Sequence, residues 1–186
     1  TRGGEIAYRL EFDGVTRLLD VGCGPGSYSL AIAEQHPLVR CTLLDLPGPI
    51  EVARQVVAER GLAERVDLVA ADALTWQPEQ PFDVVLVSNI LHMLGPDRSR
   101  ALLARCHDMV APGGRIVVQA EYLDSERTSP RWPTLLNLIM QATTDGGRNH
   151  AVDETSEWIG AAGFADVEHL RLSPWNVNSV LVGHRR

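Results

Sequence analysis

Short apolar runs and amphipathic stretches alternate five times along this chain, and that alternation limits the possible folds more than any other feature. Residues 16–21 (Thr-Arg-Leu-Leu-Asp-Val) read as a buried strand ending at Gly22. Residues 26–36 follow with helical spacing at Leu30, Ile32 and Ala33, and Pro37 stops them. The pattern repeats as a strand at 39–44, a helix at 49–60 capped by Gly61, and a third strand at 66–70. Phe82–Ser88 is apolar enough to be covered on both faces. An amphipathic helix at 97–110, a Pro112-Gly113-Gly114 turn and a strand Arg115–Ala120 complete the run. Helices are predicted at 133–143 and 153–162, then strands Val167–Leu172 and Val177–Gly183. No helix separates these last two strands, so they form an antiparallel hairpin. The whole predicts an α/β fold: a doubly wound, Rossmann-like, seven-stranded and mostly parallel sheet with helices on both faces.

Ligands of such sheets bind beyond the carboxyl ends of the strands, where the strand order reverses. The polar residues at those ends are Asp20, Asp45, Asp72, Ser88 through His92, and Glu121. Between the first strand and first helix runs Leu19-Asp20-Val21-Gly22-Cys23-Gly24-Pro25-Gly26. Its glycines let backbone come close to a ligand and adopt positive φ. A dinucleotide fingerprint needs its third glycine one position later, where Ser27 stands. A phosphate-binding P-loop needs a lysine, and the chain has none. Asp20 would repel a pyrophosphate but attract an ammonium or sulfonium group. Asp45, placed 21 residues after Gly24, can accept both hydroxyls of a ribose. Asp72 can accept an adenine amino group while Ala73 and Leu74 flank the ring. Taken singly, Asp72 reads as a loop cap. Together, the three carboxylates and the glycine loop suit an adenosine that carries an amino acid and no phosphate, which is S-adenosylmethionine (SAM).

With these residues in view, the chain resembles the class I SAM-dependent methyltransferases. Leu44-Asp45-Leu46-Pro47, Asn89-Ile90-Leu91-His92, Gly146-Gly147-Arg148 and Glu157-Trp158 through Ala162-Gly163-Phe164 narrow the resemblance to the plant-caffeate-type and bacterial antibiotic-type O-methyltransferases. The resemblance covers residues 15–185 and implies a metal-independent O-methyltransferase of secondary metabolism. Its SAM contacts would fall on Asp20, Gly22, Gly24, Gly26, Asp45, Leu46, Asp72, Ala73 and Ser88. Its general base would be His92, steadied by Glu121. Met93, Asn137, Met140, Asn149 and His150 would face a small aromatic or polyketide-like acceptor. Two departures stand out. Met93-Leu94 replaces the family's Asp-Trp after the histidine, and Asn149 replaces a second orienting acid, which makes His150 a second candidate base. The family also carries an N-terminal helical dimerisation domain. The resemblance therefore implies that residues 1–186 are the catalytic domain, without that helical domain, of a longer homodimeric protein.

Composition narrows the partners. The 186 residues fit one domain. A net charge of −7 without a basic stripe argues against nucleic acid and anionic membranes. No apolar run reaches bilayer length and no leader opens the chain. Three scattered cysteines, Cys23, Cys41 and Cys106, fit neither a disulfide framework nor a zinc site, which points to the cytoplasm. Cys23 reads as a small filler, and Trp158 and Trp175 as structural. Other readings of the same residues are an N- or C-methyltransferase, another SAM-using enzyme, or a non-catalytic SAM-binding domain. An NAD-dependent dehydrogenase is the most distant.

Overall fold

The computed structural model describes residues 2–172 and 178–186, so Trp175 and Val177 lie outside the described residues. Seven strands run β1 (Arg17–Val21), β2 (Arg40–Asp45), β3 (Val66–Ala70), β4 (Phe82–Ser88), β5 (Val110–Ala120), β6 (Ala165–Arg171) and β7 (Ser179–His184). They form one sheet in the order β3-β2-β1-β4-β5-β7-β6. The first five pair in parallel, and β7 enters antiparallel between β5 and β6. The predicted doubly wound sheet with a closing hairpin is therefore the observed one. The strand order reverses at β1, which lies between β2 and β4, so the carboxyl ends of these strands open a crevice.

Adjacent residues on each central strand serve opposite cores. Leu18, Leu43, Val84, Leu86 and Val117 face α1 (Arg2–Arg9), α2 (Ser27–Gln35) and α3 (Pro47–Glu59). Leu19, Leu44, Val85, Val87 and Val118 face α4 (Pro96–Met109) and α6 (Val152–Ala161). This explains why the strands read as continuous apolar runs rather than alternating ones. The remaining helix, α5 (Arg131–Thr143), packs against a 3-10 turn at Leu91–Met93 instead of the sheet. Truncating Leu43 to alanine, fully buried beneath the glycine loop, should lower stability by about 2–5 kcal/mol. A fall in urea midpoint at unchanged slope would report it.

Two features depart from the sequence reading. Helix α1 lies ahead of the first predicted element and seats Ile6 and Ala7 in the core. Strand β5 begins at Val110 rather than Arg115, because the Pro112-Gly113-Gly114 turn bulges out of the strand instead of preceding it. Phe82 pairs with Val110 while Val84 already pairs with Arg115. The bulge is secured by Gly113 N–H donating to Arg185 O and Arg185 N–H to Gly114 O.

Candidate functional site

The glycine loop is clamped onto β2. Gly22 and Cys23 donate their N–H groups to Leu44 O at 2.8 and 3.3 Å. The Asp45 carboxylate completes the clamp: Oδ2 accepts Gly24 N–H at 2.8 Å and Oδ1 accepts Leu46 N–H at 2.7 Å. Gly22 has φ +66°, and a Cβ there would sit 2.2 Å from Ile90 Cδ1. Only glycine meets both conditions without strain. Cys23 is buried and its thiol is pushed up by desolvation, so it fills space as expected.

Beside the clamp lies an open apolar slot lined by Asp45, Leu46, Ala73, Leu74, Ile90 and Leu94. Arg98 also lines it. Asp72 is exposed, and its Oδ1 accepts Leu74 N–H at 2.9 Å, holding the turn that carries Ala73 and Leu74. The loop-cap role and a place at the slot therefore coexist.

Asp20 is enclosed behind the loop at 1% exposure. Its Oδ2 accepts the Ser29 hydroxyl at 2.6 Å, while Oδ1 is buried with no hydrogen-bond partner among the described residues. Burial, opposed by Ser29 and reinforced by the Asp45 charge, pushes this carboxyl up to about 7. A carboxyl that binds its proton more tightly when folded stabilises fully below its unfolded value near 3.8. That contribution is lost as pH rises through about 7, at roughly 1.4 kcal/mol per pH unit. Asp20→Asn should therefore gain stability relative to the parent between pH 5 and pH 8 in urea unfolding. A pH-independent difference would count against this protonation.

The end of β4 carries the second half of the site. Ser88 donates its hydroxyl to Gln119 Oε1. Gln119 Nε2 in turn donates to Asn178 Oδ1 at 2.8 Å and to the Tyr28 hydroxyl at 3.3 Å. Asn89 holds a left-handed φ of +52° and donates to the same Tyr28 hydroxyl at 3.1 Å. Ser88 thus belongs to a polar network under the crevice, and it does not line the slot.

His92 sits in the middle of the 3-10 turn, half-buried. Its Nδ1 is enclosed with no hydrogen-bond partner among the described residues. Burial, and then the nearby His150, hold the ring below the ordinary histidine range, so it is neutral near pH 7. Helix α5 packs against this turn, and Met93, the turn's last residue, is 49% exposed. Asn149 and His150 are only 2% and 4% exposed. Asn149 N–H donates to Asn137 Oδ1 at 3.0 Å and its Nδ2 to Pro133 O at 2.8 Å, so it ties α5 to the preceding turn. Glu121 is buried at the end of β5.

The comparisons accord with this geometry. The sequence profile of the O-methyltransferase domain matches residues 3–165. This chain belongs to that family. It is 31% identical, over 96% of its length and 52% of the relative's, to the 3-hydroxy-5-methyl-1-naphthoate 3-O-methyltransferase of Streptomyces sahachiroi. It is 36% identical, over 83% of its length and 41% of the relative's, to the aclacinomycin 10-hydroxylase RdmB of Streptomyces purpurascens. The solved structure of the SAM-dependent methyltransferase SibL superposes with a TM-score of 0.87 at 35% identity, over 98% of this chain and 54% of that one. The O-methyltransferase domain described here spans about half the length of the curated relatives it matches.

Several residues of the O-methyltransferase domain site escaped the sequence reading. Leu94 and Arg98 reach the slot beside Ile90 because the 3-10 turn folds the segment after β4 back across the glycine loop. Spacing along one strand or helix carries no sign of that fold-back. Glu154 approaches His150 Nδ1 at 3.7 Å and binds Arg148 at 2.5 Å and Arg127 at 3.2 Å. Its four-residue offset from His150 was the available signal.

Proposed function

We propose that this chain is the catalytic domain of a SAM-dependent O-methyltransferase acting on a hydroxyl of a small aromatic or polyketide-like molecule. The observation that carries the reading is the Asp45 clamp: one carboxylate fixes the glycine loop and stands beside an apolar slot. The residues fit an adenosine that carries an amino acid. Each Asp45 oxygen spends one lone pair on backbone and keeps another for a ribose hydroxyl. Leu46, Ala73, Leu74 and Ile90 offer apolar surface to a flat ring, with Asp72 at its edge. Gly22, Gly24 and Gly26 bring backbone close, and the enclosed Asp20, bonded to Ser29, backs the loop. SAM, when bound, supplies an electrophilic methyl group on a positively charged sulfur.

The chain's own residues must then bind the acceptor and remove its proton. A phenol ionises near pH 10, so a neutral imidazole within reach of the hydroxyl assists its deprotonation. His92 Nε2 takes that proton. Met93, Asn137 and Met140 form the acceptor wall, and α5 adds exposed apolar surface at Trp132 and Leu135. The acceptor is therefore flat and largely apolar. The same reading includes a cytoplasmic setting, in keeping with three free, buried cysteines, and a homodimeric full-length protein. No helix among the described residues is long and apolar enough to cross a membrane.

A second reading keeps the SAM frame but changes the chemistry, to N- or C-methylation or to another reaction. It is favoured by His92 Nδ1 having no hydrogen-bond partner among the described residues, and a relative named as a hydroxylase matches the same stretch of sequence. Calorimetric titration with S-adenosylhomocysteine and, in parallel, NADH tests the frame. The former should bind and the latter should not; NADH binding alone would overturn the reading. Acceptor profiling with phenols, amines and carbon nucleophiles then separates the two chemistries.

A further inference from the structure

We infer that His150, backed by Glu154, is a positioning residue that takes up a proton ahead of His92 as the pH falls and so keeps His92 in its neutral, base-competent form to lower pH. This rests on His92 acting as the base. In this chain Asn149 stands where an acid would orient the histidine, and its side chain is committed to Pro133 O. His150 fills the same wall from the other side. Its Nε2 lies 3.1 Å from the carbonyl oxygen of Leu91, the residue before His92. Only an Nε2–H can make that bond, so the proton of the neutral ring is on Nε2. The ring is held edge-on to Trp158 with centroids 4.8 Å apart.

The other nitrogen of His150 is the informative one. Nδ1 and Glu154 Oε2 face each other at 3.7 Å, both buried and both without a hydrogen-bond partner among the described residues. With the neutral ring, a lone pair points toward a carboxylate. One added proton on Nδ1 satisfies both atoms at once. The charged groups around the ring are Glu154 on α6, Arg148 on the preceding turn, Arg127 on the segment after β5, and His92 on the 3-10 turn. Burial pushes the His150 ring below the ordinary histidine range; against it, the Leu91 carbonyl, Glu154 and the Leu94 carbonyl favour the added proton, and Arg127 opposes it. Once His150 is charged, it opposes protonation of His92, since like charges at close range disfavour each other. As pH falls, the proton enters at His150–Glu154 and His92 stays a base to lower pH.

The test is histidine-resolved NMR titration of the intact chain, with ring nitrogens labelled. In the parent protein, His150 should take up its proton at a higher pH than His92 and show two N–H groups while His92 remains neutral. The reverse order would overturn the proposal. In His150→Gln, whose amide can still donate to Leu91 O, the His92 titration should move up by about one pH unit, and the acid limb of kcat/KM should follow. An unmoved His92 titration in a folded variant would overturn it too. The NMR order does not depend on turnover, so it stays decisive even if His92→Ala proves fully active and the base reading falls.

Discussion

His92→Ala should lower turnover by about 100-fold or more and leave S-adenosylhomocysteine affinity unchanged within about twofold. The asymmetry follows from where the side chain sits. His92 lies on the 3-10 turn after β4, whereas the apolar slot is lined by its neighbours Ile90 and Leu94. Removing the imidazole takes away the group that receives the acceptor's proton without touching the clamp. His92→Gln should be equally slow, because an amide can hydrogen-bond the hydroxyl but cannot carry off its proton at neutral pH. The pH dependence adds a second check. Burial holds the ring below the ordinary histidine range, so activity should be flat through neutral pH and fall only below about pH 6.5, as the base becomes protonated. Undiminished turnover in His92→Ala would remove the histidine from the chemistry.

Asp45→Ala should weaken S-adenosylhomocysteine binding by about 100-fold or more. Two charge-assisted hydrogen bonds are lost, to Gly24 N–H and Leu46 N–H, each of a kind that contributes roughly 1.5–3 kcal/mol. The glycine loop then keeps only its bonds to Leu44 O, and the ribose hydroxyls lose their acceptor. Asp45→Asn should fall between parent and alanine, because an amide oxygen can serve one of the two backbone donors and its nitrogen cannot serve the other. Calorimetry on the three proteins measures this order directly. An alanine variant that binds as tightly as the parent would show that the clamp is a turn and nothing more.

The legible part of the fold was the part written in local periodicity. The strands from Arg17 to Ser88, their helices and the closing hairpin follow from runs such as Leu18-Leu19 and Val84-Val85-Leu86-Val87, because a strand covered on both faces needs apolar residues throughout. The glycine loop, Asp20 and Asp45 could be placed for the same reason: each lies at a strand end, and parallel topology brings strand ends together. What local reading missed depends on chain reversals. The bulge at Pro112–Gly114 and the fold-back after Ser88 are set by which partner strand or loop lies alongside. Glu121 shows the same limit at the site, since its position at a strand end could be read but its neighbours could not.

By itself the sequence determined the doubly wound sheet, the position of its crevice and the residue types that gather there. Strand pairing and a glycine loop at the first turn leave little freedom in any of these. Tertiary structure alone decided that Asp45 ties the glycine loop through Oδ2 while Oδ1 holds Leu46 N–H, and that Asp20 is enclosed rather than solvated. It also decided that Asn149 clamps α5 and that His150 Nδ1 faces Glu154 at 3.7 Å. Hydrogen bonds and desolvation act over a few ångströms in space between residues 21, 16 and 59 positions apart in sequence. They exist only once packing has brought those residues into contact.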